Sequence, residues 1–442
     1  MLRLKNICKK FISSIPILNY IVRFIILRVY VYSVFRKDKT STNSSKLNIL
    51  CVNHHFEQDI EAIVDANETH NIKVTDCKKL FGLSNYFFTS AAERNGIIPY
   101  DKISIKKRLA YRKMARYIIK LVRKYFPFDV MVLPSDSFFW IREVVLELKE
   151  LNIPTIVVDK EGTISPHWFQ AHSLEINEKF PFISDRILVW SKRQKDFWIR
   201  AGAKEECIEI VGQPRSDFFF NKHKWKTKTE LNLSNERRTV LFFTYDSTAY
   251  VPPVFVEQGL SWKEMRDETH NVIKKLAKEY PQIDFIVKTH PQARDFRVVL
   301  NDFLDPQDNI KLMTGSCISN HLLVNADIIM GFQSTALIEA MFFKIPILYT
   351  FWTRSTECLA EELIPLHKSG GVDVVRSADE LTEKMKYYIE QPDVPISPEI
   401  MENRAAFVDK YFDSANGKTC QRLLMAIEKF LSIYNNTSSQ TR

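Results

Sequence analysis

A chain of 442 residues is too long for one ordinary core, and 45% hydrophobic residues are too many for a disordered one, so two packed domains are expected. The 62 Lys and Arg against 53 Asp and Glu leave a net charge of +9, which favours an anionic partner (a nucleotide phosphate, an acidic glycan or an anionic bilayer), and no nucleic-acid motif directs that charge to nucleic acid. Only 11 glycines occur, with neither G-x-G-x-x-G nor a Walker A loop, and the seven scattered cysteines form no C-x-x-C pair; this argues against dinucleotide oxidoreductases, P-loop ATPases, zinc ribbons and disulfide frameworks, and fits reduced cytosolic thiols.

Residues 11–35 are mostly apolar and aromatic but carry Pro16, Asn19, Arg23 and Arg28, and Lys5, Lys9, Lys10, Arg36, Lys37 and Lys39 flank them. Two arginines mid-segment disfavour a membrane span. The segment 1–45 is therefore expected to lie as a basic, apolar helix on an anionic membrane face, ahead of packing on the protein itself or spanning. The polar stretch 40–45 reads as a linker.

From Lys46 onward short β-rich runs alternate with helical ones, which predicts parallel βαβ construction. Strands are expected at 47–52, 72–75, 129–133, 155–158, 186–190 and 207–211, with helices at 59–66, 103–125, 138–150 and 192–201, making a first α/β domain over 46–221. Helix 103–125 carries a run of Lys and Arg, read as a solvated face or, as a minority reading, an anionic-surface contact. Residues 222–237 are polar and mark a hinge. A second α/β domain over 238–395 takes strands at 239–244, 285–288, 310–313, 327–330 and 346–350, and helices at 262–279, 318–325, 335–343 and 379–389. The extension 396–442 carries one long helix, 402–433, placed to brace the first domain. The fold class is α/β, two Rossmann-like domains facing a cleft.

In such sheets ligands bind beyond the carboxyl ends of the strands, so the residues after each strand carry the chemistry. After 285–288 comes Lys288-Thr289-His290-Pro291, where an ammonium and an imidazole suit a phosphate oxygen. After 327–330, Ser334 and Thr335 open a helix as an anion site, and Glu339 one turn on is placed for ribose hydroxyls. After 155–158 comes Asp159-Lys160-Glu161-Gly162-Thr163, a carboxylate loop suited to a general base. His54, His55, Asp136 and Arg215 are acceptor-side candidates, with Asp136 also read as a helix cap and His167 bordering the cleft. Trp140, Trp168, Trp190 and Trp198 are taken as core. No D-x-D motif or ligand cluster is visible, so neither a metal nor another cofactor is expected.

Lys160-Glu161-Gly162, His290-Pro291 and Ser334-Thr335 resemble, in order and domain placement, the acidic-acidic-glycine, His-Pro and Ser/Thr motifs of bacterial sialyltransferases of the GT-B class. Lys160 stands where that family carries its base carboxylate, so the resemblance passes the base role to Glu161, with Asp159 as substitute. The Lys288–Pro291 loop, the later serine loop and the closing Asp413-Ser414-Ala415-Asn416-Gly417 with Arg422 are similar to glycerophosphotransferases that use CDP-glycerol. Gly212-Gln213-Pro214-Arg215-Ser216-Asp217 resembles the end of the first domain in GT-B enzymes.

The resemblances imply a metal-independent inverting glycosyltransferase that moves a sugar from a cytidine- or uridine-linked donor to a surface polysaccharide or glycolipid, peripheral on the inner face of the cell membrane. A CDP-glycerol-type polyol-phosphate transferase is the alternative, and a non-catalytic polysaccharide-binding protein is the alternative of another class. A nucleotide-sugar epimerase of related architecture is disfavoured by the membrane-type segment, since epimerases act on soluble donors.

Overall fold

The computed structural model describes residues 16–35, 46–54, 56–94, 96–160, 162–290, 295–303, 308–314 and 319–440. The expected linker at 40–45 lies outside them. Short runs of β-branched and aliphatic residues form two sheets. The first contains β1 (Asn48–Asn53), β2 (Asn71–Asp76), β3 (Val130–Leu133), β4 (Thr155–Val158), β5 (Arg186–Val189) and β6 (Ile208–Ile210), in the order β2-β1-β3-β4-β5-β6. The second contains β7 (Arg238–Phe243), β8 (Ile283–Lys288), β9 (Ile310–Met313), β10 (Ile328–Gly331), β11 (Ile347–Thr350) and β12 (Asp373–Val375), in the order β12-β11-β10-β7-β8-β9.

All pairings are parallel. Parallel neighbours need crossover helices, which cover both faces, and β3, β4 and β11 are accordingly buried along their whole length. Every expected strand is present to within two residues of its limits; β12 is additional, a short edge strand of which only Val375 is buried.

Two helical expectations and the reading of one linker change. The single C-terminal helix is two, Pro398–Phe412 and Thr419–Gln440. The break falls at Asp413 (φ 53°) and Gly417 (φ 74°), where an added Cβ on Gly417 would lie 2.7 Å from Phe220. The second of these helices does return to the first sheet, burying Cys420, Leu423 and Ile427 against Ile49, Cys51 and Val130. Helix Pro166–Lys179 was not foreseen: it buries only Ser173 and Ile176, so it lacks a periodic apolar face. Its readable signal was local, Ser165 capping Trp168 N with Pro166 at the first turn. The polar stretch 222–237 inserts Leu231 and Leu233 into the core of the second sheet and is packed chain rather than bare linker.

The N-terminal helix Pro16–Phe35 packs on the protein through Leu27, Val31 and Phe35. Its outer face leaves Ile21, Ile25, Ile26 and Val29 exposed. No described helix is long and apolar enough to cross a membrane. The basic run on helix Ile105–Arg123 is more than a solvated face. Arg108 and Arg112 reach buried Glu143 at 3.1 and 2.8 Å, and Arg116 pairs with buried Glu147, so one ridge of that helix is bonded to helix Phe139–Glu150.

Candidate active site

Parallel strands put the loops after β7, β8 and β10 on one edge of the second sheet, and the chain reverses its direction of winding between β7 and β10. A cavity of about 520 Å³ opens there, lined by Thr244, Asp246, His290, Gln333 and Ser334, with Trp168 closing it from the first sheet's side.

His290 is exposed at the end of β8, as expected of a residue before a strand-stopping proline; Pro291 itself lies outside the described residues. Lys288 is not among the lining residues. It is 2% exposed and donates to the Thr289 carbonyl at 2.6 Å, and burial lowers its pKa to about 8. The hydroxyls after β10 are engaged. Ser334 caps the six-residue helix Thr335–Ala340 by accepting from Ala336 N at 3.2 Å, and Thr335 donates to Thr163 Oγ1, 3.2 Å away on the loop after β4. Gln333, at φ 45°, is held in that left-handed conformation by its own amide, which donates to Tyr349 OH at 2.7 Å and Ile364 O at 2.9 Å and accepts from Ile364 N at 2.9 Å.

Glu339 was expected to meet ribose. It is buried, accepting from Arg215 Nε at 2.8 Å and Gln213 Nε2 at 3.2 Å. Arg215, expected on the acceptor side, also donates to Asp59 Oδ2 at 3.3 Å and lies 5.0 Å over the Trp190 ring. Asp59, Arg215 and Glu339 thus form a buried clasp between the sheets. Burial pushes the Asp59 carboxyl up, and Arg215 opposes it.

On the first sheet, Asp159 is buried and accepts from the Trp198 indole. Gly162 lies flat on Trp190, where an added Cβ would come within 2.0 Å of the ring. Glu161 and His55 lie outside the described residues. Asp136 does not cap a helix, which corrects that expectation, and it is not among the cavity's lining residues. It is fully buried and accepts from Ile183 N at 2.8 Å and Ser184 N at 2.7 Å, because the following helix starts only at Phe139. His54 packs edge-on to Phe138 at 5.2 Å and Trp140 at 5.5 Å and is not among the cavity's lining residues. His167 pairs with Glu362 at 2.8 Å across the cleft rim.

Sequence reasoning missed Trp168, taken as core, and the loop after β7. That loop is braced by Asp295, which accepts from Ser247 N at 2.8 Å, pairs with Arg266 and donates its own N–H to Asp246 at 3.0 Å. Burial pushes the Asp295 carboxyl up, but the Ser247 donors and Arg266 outweigh it and hold the group below its usual range. The signal was available: Asp246 follows the predicted strand 239–244 by two residues, as His290 follows 285–288.

Two parallel six-stranded sheets, each with crossover helices, define a two-domain GT-B-like fold. Solved structures agree. A Listeria monocytogenes protein assigned as a UDP-N-acetylglucosamine 2-epimerase by inference superposes with a TM-score of 0.52 at 11% identity, covering 88% of this chain and 97% of its own. S. aureus MnaA in complex with UDP gives 0.52 at 12% identity, over 87% and 97%. The UDP-GlcNAc 2-epimerase from Neisseria meningitidis bound to UDP-GlcNAc gives 0.50 at 14%, over 86% and 99%. At such identities the likeness is one of fold. No curated protein matches the sequence. Residues 175–429, more than half of the chain, match the CDP-Glycerol:Poly(glycerophosphate) glycerophosphotransferase family, and the chain belongs to that family. It is a nucleotide-utilising transferase, and the matched region contains all three loops of the second sheet that line the cleft.

Proposed function

We propose that the chain transfers a polyol phosphate from a cytidine-diphosphate-linked donor to a hydroxyl of a surface polymer or lipid-linked acceptor. The observation that carries this is the cleft at the β7/β10 switch point, built, Trp168 apart, within the family-matched region and presenting His290. The acceptor oxygen attacks the donor's β-phosphorus and forms a new P–O bond. The bond from that phosphorus to the bridging oxygen breaks, and CMP leaves with the electron pair. Glu161 takes the acceptor's proton, and His290 donates a hydrogen bond to the departing phosphate.

Transfer of a sugar, with attack on the anomeric carbon, is the second reading. It draws on the fold neighbours in complex with UDP and UDP-GlcNAc, whose ligands are nucleotides of the kind this cleft could take. In both readings His290→Ala weakens nucleotide binding by about 1.5–3 kcal/mol, the loss of a charge-assisted hydrogen bond. Calorimetry with CMP and CDP measures it, and undiminished affinity removes His290 from the donor site.

The protein works at the inner face of the cell membrane in this proposal, resting the Ile21, Ile25, Ile26 and Val29 face on anionic lipid. Deleting the helix would strip Leu27, Val31 and Phe35 from the core, so substitution is the cleaner test. The triple variant Ile25→Glu, Ile26→Glu, Val29→Glu is expected to stop sedimenting with phosphatidylglycerol vesicles while melting as the parent does. Vesicle binding equal to the parent's would assign the contact elsewhere or nowhere.

A further inference from the structure

Behind the cleft wall lies a chain of polar groups that the reaction above does not use. Thr244 follows β7 directly and lines the cavity, and its N–H continues the ladder to the Lys288 carbonyl at 3.1 Å. Its hydroxyl is 3.0 Å from His270 Nε2. His270 Nδ1 is 2.7 Å from Asp302 Oδ2. The imidazole is 1% exposed, set between the rings of Phe242 at 5.7 Å and Phe303 at 4.9 Å, whereas the Asp302 side chain is 30% exposed at the far end. The three groups run from solvent, through the apolar layer under the sheet, to the cavity.

The direction of each hydrogen bond follows from what each group can do. An ionised carboxylate only accepts, so Asp302 fixes the proton on Nδ1. Burial lowers the His270 pKa below its ordinary value against the pull of Asp302, which favours the neutral ring at neutral pH. A neutral ring protonated at Nδ1 leaves Nε2 as an acceptor, which claims the single hydrogen of the Thr244 hydroxyl. The Thr244 oxygen then has only lone pairs left for the cavity. It repels a phosphate oxygen and suits an O–H group.

We infer that Thr244 is a fixed hydrogen-bond acceptor for a hydroxyl of the nucleotide-linked donor, held in that polarity by His270 and Asp302 as positioning residues. The inference rests on the reading of this cleft as a donor site. Two hydroxyl sources share the chemistry, the ribose and the transferred polyol.

Calorimetry with CDP-glycerol and with CDP distinguishes them. Thr244→Val should bind CDP-glycerol about tenfold more weakly, the loss of one neutral hydrogen bond, and Thr244→Ser should restore most of that affinity. A loss confined to CDP-glycerol assigns the contact to the polyol, and an equal loss for CDP assigns it to the ribose. Asp302→Asn, at a partly exposed position, should weaken the same ligand, and combining it with Thr244→Val should add no further loss. Parental affinity in Thr244→Val, no rescue by serine, or strictly additive losses would each overturn the inference alone. Absence of saturable binding of either ligand to the parent protein would overturn the donor-site reading and the inference with it.

Discussion

Arg215→Ala is expected to destabilise the fold by about 3–5 kcal/mol, because it leaves two buried carboxylates without their shared cation. Asp59 and Glu339 have side chains 1% and 4% exposed, and the guanidinium reaches them at 3.3 and 2.8 Å. The neutral Gln213 amide would remain as a donor to Glu339 and the backbone N–H of position 215 as a donor to Asp59, and neither supplies a compensating charge. The pH dependence has a definite sign. Burial already raises the Asp59 carboxyl, and removing Arg215, which lowers it, raises it further. A group raised in the folded state has its stabilising contribution in full below its unfolded pKa and loses it as pH rises through the folded value. The variant's deficit should therefore be largest at neutral pH and shrink as pH falls into the carboxylate range. Denaturant melts across that range measure it. Adding Asp59→Asn and Glu339→Gln to Arg215→Ala should recover stability, and a deficit that the added substitutions leave unchanged would show that the ion pairs are not its source.

Glu161→Gln is expected to lower turnover by roughly 10²–10⁴-fold while leaving nucleotide affinity intact, the signature of a lost general base. The loop that carries it is pinned on both sides: Asp159 holds the Trp198 indole, Gly162 lies on Trp190, and Thr163 accepts from Thr335 of the opposite sheet. Glutamine keeps the shape and removes only the basicity, so stability should be unchanged. Full activity in Glu161→Gln would move the search for the base to other cleft residues such as Asp246, since Asp159 and Asp136 are both buried and committed to protein donors. With His290→Ala, the pair separates donor anchoring from proton removal, one seen in binding and the other in turnover.

The alternation of strand and helix was legible because parallel strands buried on both faces read as continuous apolar runs, as Thr155–Val158 does. His290 was legible for a local reason, a proline closing a strand at the edge where ligands bind. Local signals also existed for what was missed, Ser165-Pro166 at a helix start and the polar run after β7. The clasp was not legible. Arg215 meets Asp59 across 156 residues of sequence and Glu339 across 124, and nothing in a helix or loop pattern tells a cleft carboxylate from one held by a distant cation. The same holds for His270 and Asp302, which are 32 residues apart on separate helices and give no motif.

In the proposed reaction the attacked atom in this cleft is phosphorus. Phosphorus NMR of the protein incubated with CDP-glycerol and a glycerophosphate oligomer ending in a free hydroxyl tests it most directly. The expected result is loss of the donor's pyrophosphate signals and equal growth of a CMP monoester signal and a phosphodiester signal, slowed in Glu161→Gln. Intact CDP-glycerol, alongside consumption of a nucleotide sugar under the same conditions, would contradict the claim and give the cleft to sugar transfer.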